Sequence, residues 1–340
     1  MKKLFIITNE SIFENDGKFF CDNLDLKSTP EKLNKYFEVN LIGRKSLAER
    51  SHEIKINNIK LYSSIFLFII SIIKTTRIDQ SNYLVVSISP YTFLASLFIR
   101  IFGKKSLVYL RSDGFKEYQA ILGSFGPVIY YLMFQITSIV SNLVSCNENI
   151  LMGKKGTIIS PSQLSASWLS DIKEKEYEKN KLLYVGRIRV EKGIFSLIDL
   201  LKNKRDISLT IVGKEKNKNY KINQENVKIF EIQTDTKKLI SFYDSCDIFI
   251  LPSFTEGHPM ALLESLARQR PVIVFEEIKH VITNKKGVFV SKRDSDSLVK
   301  TINYIKKNYK NIKNEMKYNI LPTNLAFIKS LKKTIESLNG

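Results

Sequence analysis

"DIFILPSFTEGHPMALLESLARQRPVIVF", residues 247–275, contains a complete structural unit. DIFILPS (247–253) is an apolar run of strand length, FTEGHP (254–259) is its exit loop, MALLESLA (260–267) reads as a helix, and PVIVF (271–275) is a second apolar run. Strands that are apolar at successive rather than alternate positions are covered on both faces, as in a parallel sheet between helix layers. Strand, helix and strand in series therefore predict a parallel α/β architecture.

The same rhythm extends in both directions. Upstream strand candidates are KLFIIT (3–8), FEVNLIG (37–43), YLVVSIS (83–89), SLVYLRS (106–112), LVSC (143–146) and TIIS (157–160). A charged stretch, SDIKEKEYEKNK (170–181), interrupts the pattern and reads as an interdomain linker. LLYVG (182–186), SLTIVG (208–213), VKIFEI (227–232) and GVFV (287–290) then join the two runs already quoted. The expectation is two doubly wound domains, 1–165 and 166–324, with a cleft between the carboxyl ends of their strands. A C-terminal helix at about 325–340 is expected to pack back on the first domain. With 340 residues, 44% of them apolar, there is material for two cores.

Composition narrows the function classes. Cys21, Cys146 and Cys246 are widely spaced and form no CxxC pair, which argues against a disulfide framework or a zinc site and fits a reducing compartment. The opening MKKLFIITNE has too short an apolar run for a signal core and reads as a buried strand. A net charge of +19 calls for an anionic partner: a phosphorylated small molecule, an acidic membrane face or nucleic acid. The lysine tracts at 213–221 and 305–317 read as solvated faces, and no nucleic-acid-binding motif accompanies them. LYSSIFLFIISII (61–73) is too short to cross a bilayer. The uncharged stretch between Tyr118 and Asn147 is broken by Gly126, Pro127 and several polar residues, and reads as a core helix followed by a strand. Peripheral contact with an anionic membrane through these segments fits both their apolarity and the basic charge.

Two loops carry candidate chemistry. In YVGRIRVEKGIFSLIDLL (184–201) a strand ends at Gly186, and the following loop presents Arg187, Arg189, Glu191 and Lys192 before Gly193 opens a helix. An arginine fork and a lysine point charge at a strand end can hold a diphosphate, although an ordinary strand-to-helix connection has the same outline. In the opening stretch, the amides of Gly257, His258 and the first helical turn (Pro259 itself has none) favour an anion. Glu256 stands beside them, able to accept from ligand hydroxyls. Glu264, two turns along, is either a second ligand contact or a solvent-facing helix residue. RDSDSLVK (293–300) contains a DxD-like string, but Asp294 or Ser295 precedes an amphipathic run and reads as a helix N-cap.

Together, VGRIRVEKG, LTIVGKE, YDSCDIFILPSFTEGHPMALLESLA and PVIVF, in that order, closely resemble the retaining glycosyltransferases of the GT-B fold, family 4. The resemblance covers essentially the whole second domain. It implies a nucleotide-sugar donor, UDP- or GDP-linked, and a glycan acceptor. It places Arg187 and Lys192 on the diphosphate, Glu256 on the sugar hydroxyls, the backbone from Gly257 to Met260 near the phosphates, and Glu264 on the ribose. Catalytic roles fall on Glu256, Arg187 and Lys192, with no metal cofactor. The preferred acceptor is a surface polysaccharide or O-antigen intermediate on a polyprenyl diphosphate, at the inner face of the cell membrane.

The first domain departs from the family pattern. The loop after its first strand, ENDGKFF (14–20), offers Gly17 where a Gly-Gly pair is usual, and YLRSDGF (109–115) has no histidine. Arg111 and Asp113 are candidates for acceptor or donor contacts there, against a plain structural turn. His52 and His280 read as surface residues; His258 lies in the donor loop. A nucleotide-sugar epimerase or a non-catalytic partner of the same fold are the alternatives, with a basic nucleic-acid binder more remote.

Overall fold

The computed structural model describes residues 1–213 and 224–338, so the 213–221 lysine tract lies almost wholly outside the described residues. The chain forms two compact units, Met1–Gln163 with Asn324–Gly340, and Leu164–Thr323.

In the first unit the strands are β1 (Lys3–Asn15), β2 (Lys18–Cys21), β3 (Glu38–Ser46), β4 (His52–Ile54), β5 (Asn58–Tyr62), β6 (Ser81–Val86), β7 (Leu107–Leu110), β8 (Asn142–Ser145) and β9 (Gly156–Ile158). Seven are parallel, in the order β5-β3-β1-β6-β7-β8-β9. The strand order reverses between β1 and β6, where a doubly wound sheet opens its binding crevice. Helices Leu24–Leu33 and Asn324–Glu336 seal one face around Leu4, Leu41, Phe327 and Leu331. Helices Ile65–Thr76, Pro90–Ile101 and Gly126–Val140 seal the other around Ile7, Phe68, Ile99 and Phe134.

Two expectations for this unit change. Residues 14–20 are not an open loop: β1 continues to Asn15, turns through Asp16 and Gly17 at φ 49° and 74°, and pairs antiparallel with β2. A two-residue turn with both central residues at positive φ is the preferred hairpin closure, so Gly17 is there for its backbone. The outer half of β1 lacked a strand signature because NESIFEN is mostly polar, as suits chain projecting past the covered part of the sheet. The uncharged run after Tyr118 forms the end of one helix (Gly114–Leu122), a second helix (Gly126–Val140) and then a strand, and the second helix is only half-core. Tyr130, Met133, Phe134 and Thr137 are buried, while Val128, Ile129, Leu132 and Ile136 are exposed.

The second unit has β10 (Lys181–Val185), β11 (Ser208–Val212), β12 (Val227–Phe230), β13 (Ile248–Leu251), β14 (Val272–Phe275) and β15 (Val288–Ser291). All are parallel, in the order β12-β11-β10-β13-β14-β15, with the reversal between β10 and β13. The charged stretch 170–181 is not a free linker but lies inside this unit. The fully buried Asp247 carboxylate accepts from the amides of Glu178, Lys179 and Lys181 at 3.3, 3.2 and 2.9 Å and pairs with Lys175 at 3.4 Å. The Arg268 guanidinium, equally buried, donates to the carbonyls of Trp168, Ser170 and Asp171. Buried charges demand such partners, and here the partners belong to a segment whose composition alone suggests solvent.

Candidate functional site

The loops after β10 and β13 flank the reversal point of the second unit, and backbone packing brings them together. Gly193, at φ 65°, lies so close to Pro252 that a Cβ would sit 1.9 Å from its carbonyl oxygen; a Cβ on Gly213 would sit equally close to the Gly186 carbonyl. The Gly186 amide donates to Val212 O at 3.0 Å and the Phe254 amide to Glu191 O at 3.1 Å. With any side chain at Gly193 these loops would be pushed apart.

The result is a compact ionic cluster. Lys192 Nζ donates to Glu256 Oε1 at 2.6 Å, and Ser253 Oγ donates to the same oxygen at 2.7 Å. The lysine and glutamate side chains are 19% and 12% exposed, enough to meet a ligand yet shielded enough to strengthen their pairing. Arg187 is exposed, and its guanidinium makes no hydrogen bond or ion pair with any described residue; its carbonyl accepts from the Tyr184 hydroxyl at 2.8 Å. The structure thus joins Lys192 and Glu256 and leaves Arg187 at the loop surface.

Downstream, Gly257, His258 and Pro259 lead half-buried into the Met260–Ala267 helix, with Pro259 at the cap position. The first-turn amides have no partners within the helix. Glu264 does not face solvent. It is 7% exposed, and its Oε2 accepts from the Tyr243 hydroxyl at 2.7 Å. Burial pushes its carboxyl up from 4.5 to about 7, and the Tyr243 bond only partly opposes that.

Two residues outside the sequence expectation hold the Glu256 loop. His280, read as a plain surface residue, is exposed but has Nε2 2.7 Å from the Glu256 carbonyl. Arg293 donates through Nη2 to Pro252 O at 2.9 Å and through Nε to Glu277 at 2.6 Å, with its guanidinium over the rings of Phe254 and Phe275 at 4.1 and 4.3 Å. Its Nη1 is buried without a hydrogen-bond partner among the described residues, on the side facing Gly193. Both residues follow β14 or β15, so the strand order could have drawn attention to loops on the same sheet edge. Arg293→Ala is expected to lower kcat about tenfold, the equivalent of roughly one good hydrogen bond. Arg293→Lys should restore only part of it, because an ammonium cannot reproduce the fork. Steady-state kinetics with melting curves would check this, and an unchanged kcat would contradict it.

In the first unit the candidates are not gathered into one cluster. Arg111 Nη2 pairs with Glu10 at 2.8 Å and Nη1 with Asp25 at 3.9 Å, leaving Nε buried with no partner among the described residues. Asp113 caps the Gly114–Leu122 helix, accepting from the Phe115 and Lys116 amides at 3.1 and 3.3 Å. Gly17 is at the hairpin tip. Asp294 caps the Ser295–Lys307 helix, accepting from Ser297 N at 2.8 Å, as the N-cap reading expects.

Residues 166–320 match the family model of glycosyl transferases group 1, a span that nearly coincides with the second unit. The second unit is similar to that family along nearly its whole length. The capsular polysaccharide biosynthesis glycosyltransferase CapM of Staphylococcus aureus is 27% identical in a 183-residue alignment that covers 48% of this chain and 47% of CapM. The chain thus spans about half the length of that curated relative. Among solved structures, WaaG, a glycosyltransferase involved in lipopolysaccharide biosynthesis, superposes with a TM-score of 0.65 at 14% identity over 99% of this chain and 100% of WaaG. HepE of Anabaena, in complex with UDP, gives 0.61 at 12% identity over 100% and 97%. These likenesses establish the GT-B fold class. Within the group 1 unit, Lys192, Glu256 and Glu264 all lie inside the matched residues.

Proposed function

We propose that this chain is a retaining glycosyltransferase that moves a hexose or related sugar from a UDP- or GDP-sugar to a glycan acceptor in surface polysaccharide assembly. The observation that carries the reading is the Lys192–Glu256–Ser253 cluster at the sheet reversal point of a group 1 unit, with Glu264 buried in the helix that follows. CapM's role in capsule biosynthesis and the UDP bound to HepE support the polysaccharide and nucleotide parts.

In this reading the bond between the anomeric carbon and the diphosphate breaks with its electron pair going to the phosphate oxygen. Lys192, Arg187 and the amides leading into the Met260–Ala267 helix meet that growing negative charge, and need no metal to do so. Fixed positive groups in a shielded site stabilise the leaving group more in the transition state than in the ground state. Glu256, held by Lys192 and Ser253, accepts from sugar hydroxyls; Glu264 accepts from the ribose. Arg111 and its acidic partners in the first unit are proposed to serve the acceptor side, with a polyprenyl-diphosphate-linked glycan as the preferred acceptor.

A thermal-shift screen with UDP, GDP, ADP and their sugar conjugates tests the donor site, because a ligand that binds only the folded state raises the melting temperature. A selective rise with one nucleotide, reduced in Glu264→Gln, is expected. No rise with any of them would sink the proposal.

A further inference from the structure

The helices Ile65–Thr76, Pro90–Ile101 and Gly126–Val140 lie side by side on one face of the first unit's sheet, the second packing against both others. Their inward sides are core. Their outward sides should be polar if water were the only neighbour, and they are not. Phe66, Ile70, Ile101, Leu132, Ile136 and Ile139 are all exposed, Phe66 and Ile139 by nearly 80%. On the first helix Phe66, Ile70 and Ile73 fall on one stripe at helical spacing, and Arg77, next on that stripe, is exposed. Exposed apolar side chains that recur on three neighbouring helices are more than scattered surface residues and mark an interaction face.

Charge identifies the partner. None of the three helices contains an acidic residue, and between Leu61 and Ser112 the only one is Asp79. Lys74, Arg77, Arg100 and Lys105 are exposed at or just beyond the carboxyl ends of the first two helices. These helices connect parallel strands, so they run the same way and those ends share one edge of the face. An apolar face bordered by cations matches the interfacial zone of an anionic bilayer, where apolar side chains enter the acyl boundary and lysine and arginine meet headgroups.

The geometry of this face suits lying on a membrane rather than crossing one. Gly114–Val140 is long and apolar enough to span by length and composition, but it folds as two helices. Phe115 of Gly114–Leu122 packs on Tyr130 and Phe134 of Gly126–Val140 at 4.7 and 6.3 Å. At Gly126 a Cβ would sit 2.0 Å from the Tyr118 carbonyl oxygen, so the hairpin closes backbone on backbone. Its longer arm, 15 residues, reaches only ~22 Å against a hydrocarbon core of ~30 Å.

We propose that this three-helix face docks the chain on an anionic lipid surface, with Phe66, Leu132 and Ile136 entering the interface and Lys74, Arg77, Arg100 and Lys105 on the headgroups. The inference stands whether or not the transferase reading holds. Flotation of the full chain with vesicles of phosphatidylcholine and phosphatidylglycerol, against phosphatidylcholine alone, tests it. Binding to the anionic vesicles only is expected, falling at least tenfold in Phe66→Ser/Leu132→Ser/Ile136→Ser and severalfold in Lys74→Ser/Arg77→Ser. Melting temperatures and any nucleotide-induced shift should be retained, showing that the variants fold. No flotation at low salt, or flotation unchanged by the triple variant, overturns the proposal. So does a dimer in solution that the triple variant dissociates, since the face would then belong to a second copy. Retention by the vesicles through alkaline extraction would replace docking with insertion.

Discussion

Lys192→Ala is expected to lower kcat by about 10²–10³-fold, the loss typical of removing one preorganised donor from a developing anion. Lys192 is already in place without ligand, because Glu256 Oε1 holds its ammonium at 2.6 Å and Gly193 allows its loop to rest on Pro252. In the proposed reaction no reorganisation is then needed when charge grows on the leaving diphosphate. The donor KM should change much less than kcat, which separates transition-state stabilisation from uniform binding. Arg187→Ala should act in the same direction; its exposed guanidinium has no partner among the described residues to release. Steady-state kinetics with donor varied decide the matter: a raised KM at wild-type kcat would make Lys192 a binding residue only. Glu256→Gln is a useful companion, since it leaves Lys192 charged but weakens its tether.

Glu264→Gln should produce opposite changes in stability and binding. With its folded-state value raised to about 7 from 4.5, the native protein holds a proton on Glu264 that the unfolded chain has already released. The native state binds more protons across that window, so stability falls as pH rises from about 4.5 to 7 and is level above it, by roughly 3 kcal/mol in all. The amide cannot ionise yet can still accept from Tyr243, so the variant should lack this slope and melt several degrees higher than wild type at pH 8, with little difference at pH 5. Nucleotide binding should move the other way. An ionised carboxylate accepts from two ribose hydroxyls more strongly than an amide, so affinity in the variant should drop about ten- to a hundredfold at pH 8. Wild-type affinity should also decline as pH falls below 7. Melting and titration calorimetry at pH 5, 6 and 8 test both signs; a variant with the wild-type pH slope would show that Glu264 is not the group responsible. A buried acid that weakens the empty fold is understandable if its partner is the ligand.

Much of this was legible in the chain. DIFILPS, PVIVF and the other uniformly apolar runs each form a strand, all but KLFIIT within a few residues of the expected limits, because burial on both faces leaves an unmistakable composition. Glu256 and Lys192 could be named from their loops, though their 2.6 Å contact depends on glycines 193 and 213, whose need is visible only when two loops are seen in contact. What the chain concealed was polar sequence in structured places. NESIFEN is half a strand, and 170–181 is held by Asp247 and Arg268 from far along the sequence. In the chain Arg293 is only the neighbour of a capping aspartate, and nothing local reveals that its fork reaches Pro252.

The placement of the Asn324–Glu336 helix has a consequence for biogenesis. Phe327, Leu331 and Ile335 complete the core of the first unit beside Leu4 and Leu41, although some 160 residues of the second unit separate them in the chain. A ribosome therefore finishes every strand of the second unit before the first unit's last core element exists. Domains made in order usually fold in order; here the unit synthesised first closes last. During that interval the sheet face awaiting this helix is open to solvent, to chaperones and to neighbouring nascent chains, and truncation within Asn324–Glu336 would damage the first unit.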